Sequence, residues 1–206
     1  MSITITKYSL TMNQKIEPSN KRFYHRFDYR VKVKYSIPHI NNDFPLKAVT
    51  GRENGRDILN FYFNDLENVQ KFINHYGDKV LKIEGPINEY HSALLVRPDV
   101  DIKKTLYYNK YRYKVRFGFQ DNKIAKENNT VMALRNLVKS NKEDFLGTHL
   151  YEGIQWSWTM PVIYTKDKQS LMMLKLATSV KHKDIIKAIT IKEIEENGQA
   201  YSKEVD

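Results

Sequence analysis

The chain has 206 residues, 41% of them hydrophobic and 12% aromatic, with a formal net charge of +10 and no cysteine. That apolar content suffices for one large core or two small ones and excludes a wholly disordered chain, and the missing thiols exclude disulfides, thiolate zinc sites and cysteine nucleophiles. The cations cluster instead of spreading, which points to a polyanionic partner such as nucleic acid.

No apolar run reaches the roughly 20 residues that span a bilayer. The N-terminus alternates polar and apolar residues, unlike a secretory signal. The expectation is therefore a cytoplasmic protein (host cytoplasm if the source is viral) that does not engage a membrane.

In chain order, residues 1–12 read as an opening strand and Asn13–Asn20 as a loop. Phe27–Ile37 follows with strict alternation: Phe27, Tyr29, Val31, Val33, Tyr35 and Ile37 on one face, Arg30, Lys32 and Lys34 on the other. That is a half-buried strand with a cationic outer side. Pro38 and Asn41-Asn42-Asp43 end it. Phe44–Thr50 and Asp57–Phe63 read as a hairpin turning at Asn54-Gly55, which tolerates positive φ. Arg52 and Arg56 flank the tip.

Asn64 or Asp65 caps a helix whose Leu66, Val69, Phe72, Ile73 and Tyr76 share a stripe, with Gly77 as its stop. Val80–Ile83 is a strand closed by Gly85-Pro86. Asn88–Thr105 reads as a connecting strand plus linker.

Tyr107–Phe119 is the twin of the first cationic strand. From Tyr111 on, Tyr111, Tyr113, Val115, Phe117 and Phe119 alternate with Arg112, Lys114, Arg116 and Gly118, and Lys110 precedes them. After a polar loop, Thr130 caps a helix bearing Val131, Leu134, Leu137 and Val138. Phe145–Leu150 and Ile154–Tyr164 read as a hairpin turning at Glu152-Gly153, its second arm placed at an edge or bulge by Pro161. Trp156 and Trp158 on that arm are expected in packing. Asp167 or Thr165 caps a helix carrying Leu171, Leu174 and Leu176. Ile185–Ile194 is the last strand, before a charged tail.

The halves repeat one another. YRVKVKY (29–35) parallels YKVRF (113–117), and YFND (62–65) parallels YTKD (164–167), each followed by a helix and a short strand. The second half reads β-α-β-β-α-β, and the first has the same order with a loop in place of its first helix. The fold class expected is α+β: two ferredoxin-like, split β-α-β halves, residues 1–98 and 99–206. Each is an antiparallel sheet with its helices on one face and its cations on the other.

Alternate residues on a strand repeat at about 7 Å, near the phosphate spacing of an extended single strand. Rows at Arg30, Lys32 and Lys34, and at Lys110, Arg112, Lys114 and Arg116, suit a sugar–phosphate backbone. Arg52 and Arg56 offer a projecting basic loop, and Tyr24, Tyr107 and Tyr108 offer rings for stacking on bases. No two of the six histidines stand at metal-ligand spacing, and no phosphate-cradling or dinucleotide loop is present, so no metal and no cofactor is expected. His25, beside Tyr24 and near Lys21, is the leading general-base candidate set against a ribose hydroxyl, and His91 with Tyr90 is a second. Asp99-x-Asp101 is a weak metal motif.

Tandem ferredoxin-like halves in a basic chain resemble the architecture of the CRISPR-repeat-processing RNA endonucleases. Only Gly198 stands where those proteins carry a C-terminal glycine-rich loop. The second half also resembles an RNA-recognition motif in element order, but with Arg112, Lys114 and Arg116 where such motifs place stacking aromatics.

The leading expectation is a non-enzymatic RNA- or single-stranded-DNA-binding protein. The alternatives are a viral or phage structural or accessory protein that meets an acidic protein partner, and a metal-independent ribonuclease using His25. A homo-oligomer is left open.

Overall fold

The structure, a computed structural model, describes residues 15–35, 47–117, 129–148, 162–177 and 182–203. The chain is α+β and divides into two units, Met1–Val96 and Arg97–Asp206. The first holds β1 (Ile16–Pro18), β2 (Tyr29–Lys34), β3 (Lys47–Glu53), β4 (Arg56–Phe63) and β5 (Val80–Gly85) in the order β1-β5-β2-β4-β3. The second holds β6 (Val100–Lys103), β7 (Tyr113–Phe117), β8 (Phe145–Thr148), β9 (Val162–Thr165) and β10 (His182–Thr190) in the order β6-β10-β7-β9-β8. Position for position the two orders are the same.

Each sheet is five-stranded and mixed, where fully antiparallel sheets were expected. The added strand, β1 or β6, runs parallel to β5 or β10, and the other neighbours are antiparallel. Strand β1 falls where the sequence reads as a loop, and β6 within the segment read as a connecting strand plus linker, because three or four residues show no usable alternation that would fix their bounds. The opening strand, the loop after β2, the Glu152-Gly153 turn and both tryptophans lie outside the described residues.

Helix α1 (Leu66–Tyr76) starts at Asp65, whose carboxylate accepts the Asn68 amide at 2.8 Å. That satisfies one of the free first-turn donors. Its apolar stripe buries Val69, Phe72, Ile73 and Tyr76 on the valine side of β2, against Val31, Val33, Leu59, Phe61, Phe63 and Ile83. Full burial of each such side chain is worth about 1.5–3 kcal/mol, so this face holds the unit together. Gly77 is right-handed (φ −51°) and leads into a 3-10 turn, Gly77–Lys79, so it does not act as the expected left-handed stop. Gly85 is constrained by space: a Cβ there would lie 2.3 Å from Tyr29 Cδ1.

Two helices replace expected linker and tail. Helix α2 (Glu89–Leu95) is capped by Asn88, which accepts the His91 amide at 2.7 Å. The His91 ring is fully buried between the Ile87 amide and the Ser19 carbonyl, and burial holds its pKa below the ordinary imidazole value.

The second unit packs α3 (Asn129–Ser140) and α4 (Lys168–Ala177) over Val115, Phe117, Phe145 and Ile163 through Leu134, Val138, Leu171 and Leu174. Asp167 caps α4 by accepting the Ser170 amide at 2.8 Å, as Asp65 caps α1. Leu176, expected in the core, is 86% exposed. Strand β9 begins just after Pro161 and lies inside the sheet, not at its edge. β10 ends at Thr190, where α5 (Ile191–Lys203) begins in a capping box: the Thr190 amide donates to Glu193 at 2.8 Å and the Glu193 amide to Thr190 Oγ1 at 3.3 Å.

Candidate nucleic-acid interface

Residues paired across an antiparallel ladder share a face. Arg30 faces Tyr62 and Glu84, and Lys32 faces Asn60 and Lys82, so the cations of β2 lie on the side of the sheet away from α1. In the second sheet Lys114 faces Tyr164 and Ile186, and Arg116 faces Val162 and Asp184.

Both cationic strands are shorter than expected, because each is preceded by a tight turn. Phe23 bridges Phe27, and Tyr107 bridges Tyr111. Between them Tyr24 and His25 have φ of 51° and 59°, and Tyr108 and Asn109 have 50° and 59°. Positive φ is an outlier for a residue as bulky as tyrosine. These turns swing Phe27 and Tyr111 away from the core face they were expected to share with the valines. Phe27 packs 5.9 Å from the Tyr62 ring, and Tyr111 clusters with Tyr107, Ala188, Leu146 and Tyr164 on the outer side.

The turn rings meet their sheet tyrosines in the same way twice. Tyr24 and Tyr62 are edge-on with centroids 5.0 Å apart, and so are Tyr108 and Tyr164. Burial, then the neighbouring Tyr108, raises the Tyr164 hydroxyl above its ordinary pKa. Burial, then the hydrogen bond donated to Asp101 at 2.9 Å, does the same for Tyr107.

The charges differ between the units. In the first, the Arg30 guanidinium donates to Glu84 at 2.6 Å, Lys32 sits on Glu53 at 3.0 Å, and Lys82 on Glu17 at 2.7 Å. The row is therefore covered by the unit's own carboxylates, contrary to the open cationic face expected. Lys34 remains exposed. At the hairpin tip Arg52 pairs with Asp57 at 3.2 Å, leaving Arg56 exposed. His25 is exposed on its turn, and the Tyr24 ring beside it lies under the Lys47 ammonium at 3.6 Å.

In the second unit Lys110 donates to Glu143 at 2.7 Å, and Arg112 to Glu193 at 2.7 Å. Arg116 approaches Asp184 no closer than 3.8 Å, and Lys103 approaches Asp101 no closer than 3.9 Å. Lys114 has no carboxylate partner among the described residues. Burial, then repulsion from Arg116 and Lys103, holds its pKa below the ordinary lysine value, with Asp101 opposing. At the position where Glu84 faces Arg30, Ile186 faces Lys114.

Lys103, Tyr164 and Ile186 were not singled out in the sequence. Lys103 is hidden because its strand is only four residues long. Tyr164 carries a readable signal, the Tyr-x-x-Asp shared with Tyr62. Among the described residues no group of three or more His, Asp or Glu could hold a metal. Asp99 instead pairs with Arg97, and Asp101 with Tyr107. No described helix is long and apolar enough to cross a membrane. Neither a protein-family model, nor a curated protein, nor a solved structure matches the chain.

Proposed function

We propose that the protein binds nucleic acid, holding backbone phosphates on the outer face of its second sheet at Lys103, Lys114 and Arg116. The observation that carries the reading is Lys114: a half-buried ammonium flanked by two cations, with no carboxylate partner among the described residues. A cation held there against burial and repulsion is stabilised by an anion arriving from solvent. Arg116 and Lys103, each only loosely paired, can turn toward the same ligand. Charge of this kind supplies affinity without base sequence. The first unit contributes less, because Glu84, Glu53 and Glu17 already occupy its row.

The same reading takes each unit as a ferredoxin-like, split β-α-β arrangement with a parallel strand added at one edge. In the second unit, β7, α3, β8, β9, α4 and β10 follow that element order. The unlike charge on the two outer faces then marks one as a binding surface and the other as a self-paired surface.

The test is charge reversal at matched net charge. Lys103, Lys114 and Arg116 are changed to Glu in one variant, and the exposed Lys21, Lys34 and Arg56 of the first unit in another. Fluorescence anisotropy with a labelled single strand at low salt should show binding lost in the first variant and largely kept in the second. Equal loss in both, or no loss in the first, contradicts the proposal.

A further inference from the structure

This inference rests on the phosphate reading above and names the ligand more closely. We infer that the Tyr108 turn is a base-stacking platform, so that the second unit takes single-stranded rather than duplex nucleic acid.

Tyr108 is 61% exposed at the tip of a turn whose backbone is held from both sides. The Tyr107 amide donates to the Tyr111 carbonyl at 3.0 Å, and the Tyr111 amide to the Tyr107 carbonyl at 2.9 Å. The Asn109 amide closes on Leu106 at 3.0 Å. The left-handed conformation of Tyr108 (φ 50°) is strained for so bulky a residue and is tolerated only where the surroundings enforce it. Here it lifts a large ring into solvent beside a cation cluster. Packing does not explain the exposure, since burying the same ring would be favourable. Contact with Tyr164 fixes the ring from one direction while more than half its surface stays open.

The first unit provides the comparison. Tyr24 has the same turn, the same φ sign and the same edge-on contact, but its ring carries the Lys47 ammonium at 3.6 Å. That cation occupies the place a base would take. Among the described residues no cation lies over the Tyr108 ring. Two independent differences, the unpaired Lys114 and the uncapped Tyr108, therefore fall on the same unit and the same face. A cation row flanked by an open ring is the arrangement that holds unpaired strands: the row follows the phosphates and the ring accepts any base. A duplex keeps its bases stacked inside and cannot offer one to Tyr108.

The test compares three labelled ligands of equal length: oligo-dT, an abasic deoxyribose–phosphate strand, and duplex DNA. The variants are Tyr108→Asn, Tyr108→Trp and Lys114→Glu. Asparagine tolerates positive φ, so the turn is kept while the ring is removed, and circular dichroism melting confirms the fold. The parent should prefer oligo-dT to the abasic strand. Y108N should weaken oligo-dT binding roughly 5- to 150-fold, from about 1–3 kcal/mol per stacked base, and leave the abasic strand unchanged. Y108W should retain the preference, and K114E should weaken both strands. Equal affinity for the two strands, unmoved by Y108N, overturns the ring contact and leaves the phosphate contact standing. Duplex bound as tightly as oligo-dT overturns the single-strand preference. No binding to either strand at low salt overturns both readings.

Discussion

Replacing Ile186 by Glu would give the second sheet the cross-strand carboxylate that the first already has. Ile186 faces Lys114 in the ladder as Glu84 faces Arg30, where two guanidinium nitrogens reach one carboxylate oxygen at 2.5 and 2.6 Å. The new carboxylate should hold Lys114 and take it from the ligand. A hydrogen bond to a charged group is worth about 1.5–3 kcal/mol, so affinity for a single strand at low salt should fall roughly 10- to 150-fold. Each phosphate contact on a single strand contributes about −0.7 to the slope of log K against log salt, so three contacts give about −2.1 and two give about −1.4. Raising salt from about 50 to about 200 mM should then weaken the parent about 18-fold and I186E about 7-fold. Anisotropy titrations across that range measure both quantities. If I186E keeps the parent's affinity and slope, Lys114 does not contact phosphate and the contrast between the units has no functional meaning.

Three further outcomes follow from the same geometry. The Lys114 ammonium has a depressed pKa, so the free protein loses that proton at a lower pH than an ordinary lysine would. Strand affinity should therefore fall as pH rises into the alkaline range, and Lys114→Arg, charged throughout, should remove that fall in a pH series of titrations. Gly85→Ala places a Cβ 2.3 Å from the Tyr29 ring and should cost about 1–3 kcal/mol in urea unfolding, relieved in the double variant with Tyr29→Ala. Phe72→Ala removes a fully buried ring centred 4.7 Å from Phe61 and 5.3 Å from Phe63, and should cost the first unit about 3–5 kcal/mol in the same assay.

Periodic segments were legible. Val31 and Val33, and Val115 and Phe117, lie on the core faces that their alternation assigns, and Val69, Phe72, Ile73 and Tyr76 form the stripe their spacing implies. The short pieces were not. Ile16–Pro18 is too brief for any period, and a parallel edge pairing leaves no local trace. Helix α5 carried a sign in Thr190-Ile191-Lys192-Glu193, a capping box masked by the apolar run before it. The turns at Tyr24 and Tyr108 were hidden because tyrosine is a poor predictor of positive φ, and the alternation of each strand begins at Phe27 or Tyr111, the residue that closes the turn.

The cationic rows were legible as rows but not as charges free to bind. Whether a lysine on a strand meets water or a glutamate depends on which strands become neighbours. Lys32 is matched by Glu53, 21 residues away, and Arg30 by Glu84, 54 residues away. Nothing within β2 itself indicates either partner. The same dependence on strand order leaves Lys114 beside Ile186.

Photo-crosslinking tests most directly where the ligand lies. The full chain is bound to a 4-thiouracil-bearing single strand, irradiated, and the attached peptide identified by mass spectrometry. The account predicts attachment in the peptide containing Tyr108, and its loss in the Lys103, Lys114, Arg116 reversal variant. Attachment confined to the Tyr24 turn or the Arg52–Arg56 hairpin, with the Tyr108 peptide unmodified, would contradict it.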